Sequence, residues 1–263
     1  MSVQRILCIG ELMVGLRKLE KGFLTEGSEF KLIVEGLPAK VALELASMGF
    51  KVDLAGAVGD DALGKSLITF LKNNGVNIDN IVVKRGLRTT VVVLINDILK
   101  IYFRKPYATT ADTEFSLNDI SLSRLSNINL LYTSAYALME KPLGHTVFYI
   151  VKHLWKNNVK IVLHINFHTY EDKFLSLREL RGILKYSSNI ILSYRELDRL
   201  LKTSKVKTAA QTIFRKFPAV ENVAITAQGR MYVHIRGVGE KVFNIREADE
   251  SKFAALFIKN IIT

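Results

Sequence analysis

The sequence is poor in cysteine and contains no long apolar run. Cys8 is the only cysteine among the 263 residues, so no disulfide can form within the chain. No uninterrupted apolar stretch reaches the roughly eighteen residues that cross a bilayer. The N-terminus has neither the apolar core nor the small-residue cleavage site of a signal peptide. These absences exclude a disulfide-stapled secreted domain, and we expect a cytoplasmic protein without a membrane-spanning segment.

Acidic residues are the minority among the charged ones. The 37 Lys and Arg residues outnumber the 25 Asp and Glu residues, which gives a formal net charge of +12. An excess of positive charge can favour binding of nucleic acids, attract anionic substrates or only keep the protein soluble. The sequence has no Arg-rich tail and no recognisable nucleic-acid-binding motif, and its basic residues are spread along the chain. We therefore do not expect a nucleic-acid partner, and we assign most of the charge to the solvated surface.

Short apolar runs alternate with longer segments of helical period. Runs typical of buried strands occur at 6–10, 52–58, 128–133, 160–165, 190–193 and 223–226. Segments with helical spacing occur at 38–48, 61–74, 143–157, 177–186, 196–201, 208–217 and 253–262. Strands buried on both faces that alternate with helices predict a doubly wound, mostly parallel sheet with helices on both faces. We expect residues 1–263 to form a single α/β domain.

Two segments depart from this alternation. Residues 12–34 are only weakly periodic, and residues 82–104 contain two strand-like runs on either side of the turn pair Asn96-Asp97. We expect both segments to supply antiparallel strands of a small accessory sheet that covers one end of the parallel sheet. Because an exposed strand edge invites pairing, this sheet is also a candidate contact for a homodimer.

Several motifs in the first 112 residues resemble those of the ribokinase-like (PfkB-type) carbohydrate kinases. They are Ile6-Leu7-Cys8-Ile9-Gly10-Glu11, Glu35-Gly36-Leu37-Pro38-Ala39-Lys40, Gly56-Ala57-Val58-Gly59-Asp60-Asp61-Ala62-Leu63-Gly64 with the later Gly75-Val76, and Tyr102-Phe103-Arg104. The later order of elements also agrees with the family. The resemblance implies a ribokinase-like fold with a β-sheet lid. It also implies ATP-dependent phosphoryl transfer to a hydroxyl of a sugar or sugar acid, with Mg²⁺ and ATP as cofactors.

The resemblance further implies a set of substrate-binding residues. These are Glu11, Gly36, Lys40, Arg104 and Asn166. Lys40 stands where the family has Asn, and it either contacts an acidic substrate or is an ordinary solvated helix residue. Arg104 either pairs with a carboxylate or hydroxyls of the substrate or lies on the surface of an edge strand.

On the nucleotide side, the resemblance implies a second set of residues. These are Glu196, Thr226, Gly229 and Ala248. Glu196 would also act indirectly on the metal ion, although a carboxylate in the first turn of a helix has a simpler role in stabilising the helix dipole. Gly229 has the simpler alternative of forming a turn.

The family's Gly-Ala-Gly-Asp turn, whose Asp is the catalytic base, is altered in this chain. In one register the turn is Ala248-Asp249-Glu250-Ser251, which puts Ser251 in the position of the base and fits the following helix. In the other register it is Glu247-Ala248-Asp249-Glu250, with Glu250 as the base. Neither keeps a glycine, and acidic side chains stand where backbone N–H groups would approach a phosphate. We therefore expect impaired phosphoryl transfer; the alternative is a non-catalytic protein that binds a ligand or a partner.

Overall fold

The computed structural model describes residues 4–96, 99–104, 108–166, 175–245 and 249–262. The strands, in chain order, are β1 (Arg5–Ile9), β2 (Met13–Lys18), β3 (Phe30–Glu35), β4 (Lys51–Gly59), β5 (Asn77–Lys84), β6 (Thr90–Ile95), β7 (Leu99–Phe103), β8 (Leu130–Ser134), β9 (Lys160–Ile165), β10 (Asn189–Ser193), β11 (Asn222–Ala227), β12 (Arg230–Ile235) and β13 (Gly239–Asn244). The α-helices are α1 (Leu37–Ser47), α2 (Ala62–Asn73), α3 (Leu143–Lys156), α4 (Leu177–Leu184), α5 (Tyr194–Leu201), α6 (Val206–Lys216) and α7 (Glu250–Ile262).

Nine strands form the central sheet in the order β13-β12-β11-β10-β9-β8-β1-β4-β5. The neighbours from β11 to β5 are parallel, whereas β12 and β13 continue the sheet as antiparallel strands. The predicted doubly wound, mostly parallel architecture is confirmed. The β12–β13 hairpin was not predicted, because β13 is largely exposed and lacks the apolar run that marks a buried strand.

Helices cover both faces of the central sheet, and β1 shows how one strand serves two cores. Leu7 and Ile9 pack with residues of α3, α4 and α6, while Ile6 and Cys8 pack on the opposite face with residues of α1, α2 and α7. This division follows from the alternation of side chains along a strand. Burial raises the pKa of the Cys8 thiol far above its usual range, so Cys8 is a core residue rather than a nucleophile.

The accessory sheet has four strands in the order β3-β2-β6-β7. Two corrections to the expectation apply. Residues 82–84 belong to β5 of the central sheet, and the central pair β2–β6 is parallel rather than antiparallel. The second difference arises because β2–β3 and β6–β7 are each antiparallel pairs that meet through their first strands, which run in the same direction. In the described part of the chain, no helix has the length and apolarity needed to cross a membrane.

Candidate active site

The candidate residues gather beyond the carboxyl ends of neighbouring parallel strands. Glu11 follows β1, Ser134 ends β8, Asn166 follows β9, and Glu196 lies in the helix that follows β10. These four strands are adjacent in the order β10-β9-β8-β1. In open α/β sheets this edge is where ligands bind, because the following loops and helix N-termini converge there.

Glu11 joins three elements at this edge. The Ser134 hydroxyl donates to both carboxylate oxygens of Glu11, at 3.1 Å (Oε1) and 2.9 Å (Oε2), and the Leu37 N–H donates to Oε1 at 3.2 Å. Burial raises the pKa of Glu11 to about 7, although Arg104 and Ser134 act to lower it. At Gly36 φ is +89°, and a Cβ there would lie 2.4 Å from the Glu11 carbonyl oxygen. The close approach of these two segments therefore requires glycine.

Arg104 is buried with only 2% exposure, so it is not a surface residue of an edge strand. Its Nε atom lies 2.8 Å from Asp112 Oδ2, and its guanidinium carbon lies 4.6 Å from the centroid of the Tyr136 ring. Asp112 also accepts hydrogen bonds from Thr90 and Thr110. Among the described residues, Arg104 Nη2 has no hydrogen-bond partner.

The pKa of Arg104 is raised: burial acts to lower it, but the Asp112 carboxylate outweighs that effect. The guanidinium therefore stays charged inside the protein. The sequence analysis did not select Asp112, Ser134 or Tyr136, and Ser134 in particular meets Glu11 from a distant segment. The only local signal is the position of Ser134 at the end of a buried strand.

Lys40, in the first turn of α1, is not an ordinary solvated helix residue. Its Nζ atom lies 2.8 Å from Asp249 Oδ2 and 3.9 Å from Glu35 Oε1, and its side chain is 21% exposed. Burial acts to lower the pKa of Lys40, but the carboxylates of Glu35 and Asp249 outweigh it and raise the pKa. Lys40 therefore bonds α1 to the segment that begins α7.

The first turn of α7 carries the residues of the altered catalytic motif. Glu250 is the first helical residue, and its Oε2 atom accepts a hydrogen bond from Asn166 Nδ2. Ser251 is buried, and its N–H donates to Asp249 Oδ1 at 3.2 Å. Burial acts to raise the pKa of Asp249, but Lys40 and Ser251 hold it below its usual value. Ala248 lies outside the described residues.

Glu196 has the geometry of a helix cap. Its Oε2 atom accepts hydrogen bonds from the backbone N–H of Ser193, at 2.9 Å, and from the Ser193 hydroxyl. The Ser193 side chain in turn accepts from the backbone N–H at the third helical position, which completes a capping box at the start of α5. Burial raises the pKa of Glu196, and the nearby Glu250 carboxylate adds to this effect. The Glu196 carboxylate thus caps α5, and its pKa is also affected by the charge of Glu250.

Thr226 and Gly229 lie in the hairpin β11–β12. Thr226 pairs with Met231, and the two-residue loop Gln228-Gly229 has φ values of +49° and +72°, as in a type I′ turn. The Gly229 carbonyl accepts a hydrogen bond of 2.8 Å from Ile245, which ties the turn to the segment leading towards α7. Gly229 therefore does form a turn.

The structure thus brings Lys40, Asn166 and Glu250 together at α7, and Glu11 and Arg104 together beside Tyr136. Within the described ranges, no group of three or more His, Cys, Asp or Glu side chains is arranged to hold a metal ion. Glu196 is coupled to Glu250, and Thr226 and Gly229 belong to a separate hairpin.

Comparison with known proteins identifies the family to which the chain is similar. A family model described as "pfkB family carbohydrate kinase" matches residues 3–248. The 5-dehydro-2-deoxygluconokinase of Geobacillus kaustophilus is 25% identical over 170 residues, which cover 62% of this chain and 50% of the relative. That of Clostridium tetani is 26% identical over 152 residues, covering 56% and 44%. The matches span about half the length of these curated relatives.

Solved structures agree with the fold. The fructokinase of Xylella fastidiosa with bound ATP superposes with a TM-score of 0.81 at 18% identity, covering 96% of this chain and 80% of that one. The 2-dehydro-3-deoxygluconokinase of Thermotoga maritima gives 0.82 at 19% identity, covering 98% and 87%. A PfkB protein from Polaromonas gives 0.85 at 16% identity, covering 99% and 89%. The fold is ribokinase-like, and the chain belongs to the PfkB family of carbohydrate kinases.

Proposed function

We propose that this chain binds a sugar or sugar acid at the carboxyl edge of its central sheet and transfers a phosphoryl group weakly or not at all. The family, and relatives whose names denote kinases of fructose and of gluconate derivatives, support a carbohydrate ligand. Glu11, Gly36 and Arg104 support retention of the ligand site, since they are held in place by buried contacts. Arg104 Nη2, which has no partner in the described part of the chain, provides a donor for a hydroxyl or carboxylate of the ligand.

The observation that supports weak phosphoryl transfer is the Lys40–Asp249 ion pair of 2.8 Å, which lies beside the Glu250–Asn166 contact. Phosphoryl transfer needs preorganised positive or dipolar groups around the transferring phosphate. Here the ammonium group of Lys40, which lies beside the start of α7, is already paired with the carboxylates of Asp249 and Glu35. The described residues therefore do not fit the terminal phosphates of ATP, and no transfer step is assigned to Glu250 or Ser251.

ATP would supply the phosphoryl group and Mg²⁺ would shield its charge when bound. On the family pattern, Glu196, Thr226, Gly229 and Ala248 are the residues proposed to face them. The cap made by Glu196 and the carboxylates of Asp249 and Glu250 make that binding weak. A non-catalytic role in binding a carbohydrate is the alternative on the same fold, and the same ion pair favours it.

Turnover and binding measurements test this proposal. We expect ADP formation from Mg²⁺-ATP to stay at background with a panel of sugars and sugar acids, while at least one carbohydrate raises the melting temperature. The combined change Ala248→Gly, Glu250→Gly and Ser251→Asp should increase the thermal shift produced by nucleotide. The two glycines permit closer backbone approach and take the Glu250 side chain out of the turn, while Ser251→Asp puts a carboxylate in the position of the base.

The control is Glu221→Ala, because Glu221 pairs with Lys160 at the opposite end of the sheet. It should change neither measurement. Robust turnover of any of these substrates by the unaltered protein, abolished by Glu250→Ala or Ser251→Ala, would show that the turn still works and would overturn the proposal.

We also propose that the chain forms a homodimer through the accessory sheet. The strand registers place Phe30, Leu32 and Phe103 on one face of this sheet. These side chains are 39%, 47% and 53% exposed. An apolar sheet face with exposed aromatic side chains is typical of an interaction surface.

A further inference from the structure

A groove lies between the accessory sheet and α2, outside the candidate active site, and we refer to it as the α2 groove. Its volume is about 510 Å³. Val14 and residues 32–34 form one wall, and the other wall consists of α2 residues: Lys65, Ser66, Leu67, Thr69, Phe70 and Asn73. Leu32 and Phe70 are 47% and 50% exposed. The groove is therefore a largely apolar surface that is open to solvent.

The α2 groove opens on the outer face of the accessory sheet. The strand registers place Val14 and Val34 on the same face as Phe30, which belongs to the surface proposed for the homodimer. The opposite face of the sheet packs against Tyr136, which lies beside Arg104. The groove is therefore next to the proposed interface and away from the residues proposed to bind a carbohydrate.

A second observation concerns the loop between β2 and β3, residues 19–29. Its Phe23 side chain is 91% exposed, more than any other large apolar side chain in the described ranges, and the adjacent Leu24 is 46% exposed. Two neighbouring apolar side chains in water gain free energy when a partner surface buries them. The same strand pair thus has an apolar loop at one end and an apolar groove at the other.

The loop and the helix beside the groove carry opposite charge. The loop has three carboxylates against one lysine, a net charge of −2: Glu20, Glu26, Glu29 and Lys21. Helix α2 contains Lys65 and Lys72 and no acidic residue, a net charge of +2. These lysines are seven residues apart, so they lie on the same side of the helix, and Lys65 lines the groove.

Two ion pairs within the chain reduce this difference in charge only slightly. Lys65 lies 3.4 Å from Asp60, but both side chains are exposed, and surface pairs of this kind are weak. Glu20 lies 4.0 Å from Lys18, so we assign the contact with α2 to Glu26 and Glu29. The groove and the loop are thus complementary both in apolar surface and in charge.

We propose that the β2–β3 loop of one copy of the chain docks in the α2 groove of a second copy and buries Phe23 and Leu24 there. The groove lies beside Val14 and Val34, at the end of the β2–β3 pair away from the loop. When two accessory sheets pack with these strand pairs antiparallel, each loop reaches the groove of the other copy, so the contact is reciprocal, as two-fold symmetry requires. The inference goes beyond the proposed carbohydrate function and rests on the proposed homodimer, for which it names the segment that passes between the copies.

Cross-linking between two different chains tests the inference directly. One chain carries Leu24→Cys, the other carries Asn73→Cys and a tag that changes its mass, and the native Cys8 is buried. After the two chains have exchanged subunits, a short bismaleimide should join them into a mixed dimer on a denaturing gel. Val238→Cys replaces Leu24→Cys in the control, because Val238 is 77% exposed in the loop between β12 and β13 of the central sheet. The control pair should give no mixed dimer.

Sedimentation equilibrium measures how much the loop contributes to assembly. Phe23→Asp should raise the dissociation constant of the dimer at least about tenfold, because an apolar anchor is replaced by a charge that is costly to bury. Val238→Asp, which places the same charge on another exposed loop, should leave the dissociation constant unchanged.

Several outcomes would overturn the inference. A dimer that Leu32→Asp dissociates but Phe23→Asp does not, with no mixed cross-link, would leave the accessory-sheet interface standing without the loop contact. A cross-link within one chain that carries both Leu24→Cys and Asn73→Cys would assign the groove to the chain's own loop. A monomer at high concentration would overturn this inference together with the homodimer. Robust ADP formation would contradict only the proposed function, and neither experiment measures it.

Discussion

Burial raises the pKa of the Glu11 carboxyl group, and this makes the stability of the protein depend on pH. The carboxyl group is enclosed by β1, β8 and α1, and its pKa rises from 4.5 to about 7 because ionisation inside the protein is costly. The unfolded chain releases this proton near pH 4.5, whereas the folded chain keeps it until about pH 7. The contribution of Glu11 to stability is therefore full below pH 4.5 and falls as the pH rises to about 7.

Glu11→Gln removes this titration, so the free energy of unfolding should lose part of its dependence on pH. Between pH 4.5 and about 7, the wild-type value should fall relative to the variant by an amount on the order of 3 kcal/mol. Urea unfolding at a series of pH values measures this difference. Glu221→Gln, an exposed carboxylate paired with Lys160, should keep the wild-type slope. An unchanged slope in Glu11→Gln would contradict the assigned pKa.

At the scale of elements, Asp61 shows how one cap positions a helix and a strand together. Its Oδ1 atom accepts hydrogen bonds from the Gly64 N–H at 2.8 Å and the Thr89 hydroxyl at 2.9 Å. Its Oδ2 atom accepts one from the Thr89 N–H at 2.7 Å. Burial acts to raise the pKa of Asp61, but these hydrogen bonds hold it below its usual value. The carboxylate therefore joins the start of α2 to the residue before β6.

Asp61→Ala should lower the free energy of unfolding by about 1–3 kcal/mol, because it removes a helix cap and leaves the Thr89 N–H without its acceptor. The neighbouring Asp60→Ala is the matched control. Asp60 pairs with Lys65 at the surface, at 3.4 Å, and such pairs contribute no more than about 1 kcal/mol. Chemical denaturation of both variants measures the difference, and equal losses would contradict the bridging role of Asp61.

At the scale of the whole molecule, the accessory sheet bears on assembly. We expect sedimentation to show a dimer, and Leu32→Asp or Phe103→Asp to shift it to a monomer, because a charge on an apolar interface is costly to bury. Tyr149→Asp is the control, since Tyr149 is 46% exposed on α3 and outside the accessory sheet. A monomer at high concentration, or equal dissociation by Tyr149→Asp, would contradict the proposed interface.

Much of the fold could be predicted from the sequence, because strand and helix periodicity and glycine turns are local properties. The strand at 160–165 agrees residue for residue with β9, and segments 12–34 and 82–104 contain the strands of the accessory sheet except for the last residue of β3, Glu35. The motifs between Gly10 and Asp112 were enough to indicate the family that the match over residues 3–248 supports. The parallel β2–β6 pair was not predictable in this way, since strand direction depends on which strands meet.

The state of the candidate site was decided only by tertiary structure. The sequence left Lys40 and Arg104 each with two interpretations. Their contacts with Asp249 and Asp112 show that both side chains are paired, with Arg104 buried and Lys40 partly buried. The sequence likewise contains Glu11 and Ser134, but they are 123 residues apart and meet only when β1 and β8 pair. Residue identity determines which charges are available, whereas their pKa values and partners depend on burial and distance, which arise only when remote segments pack together.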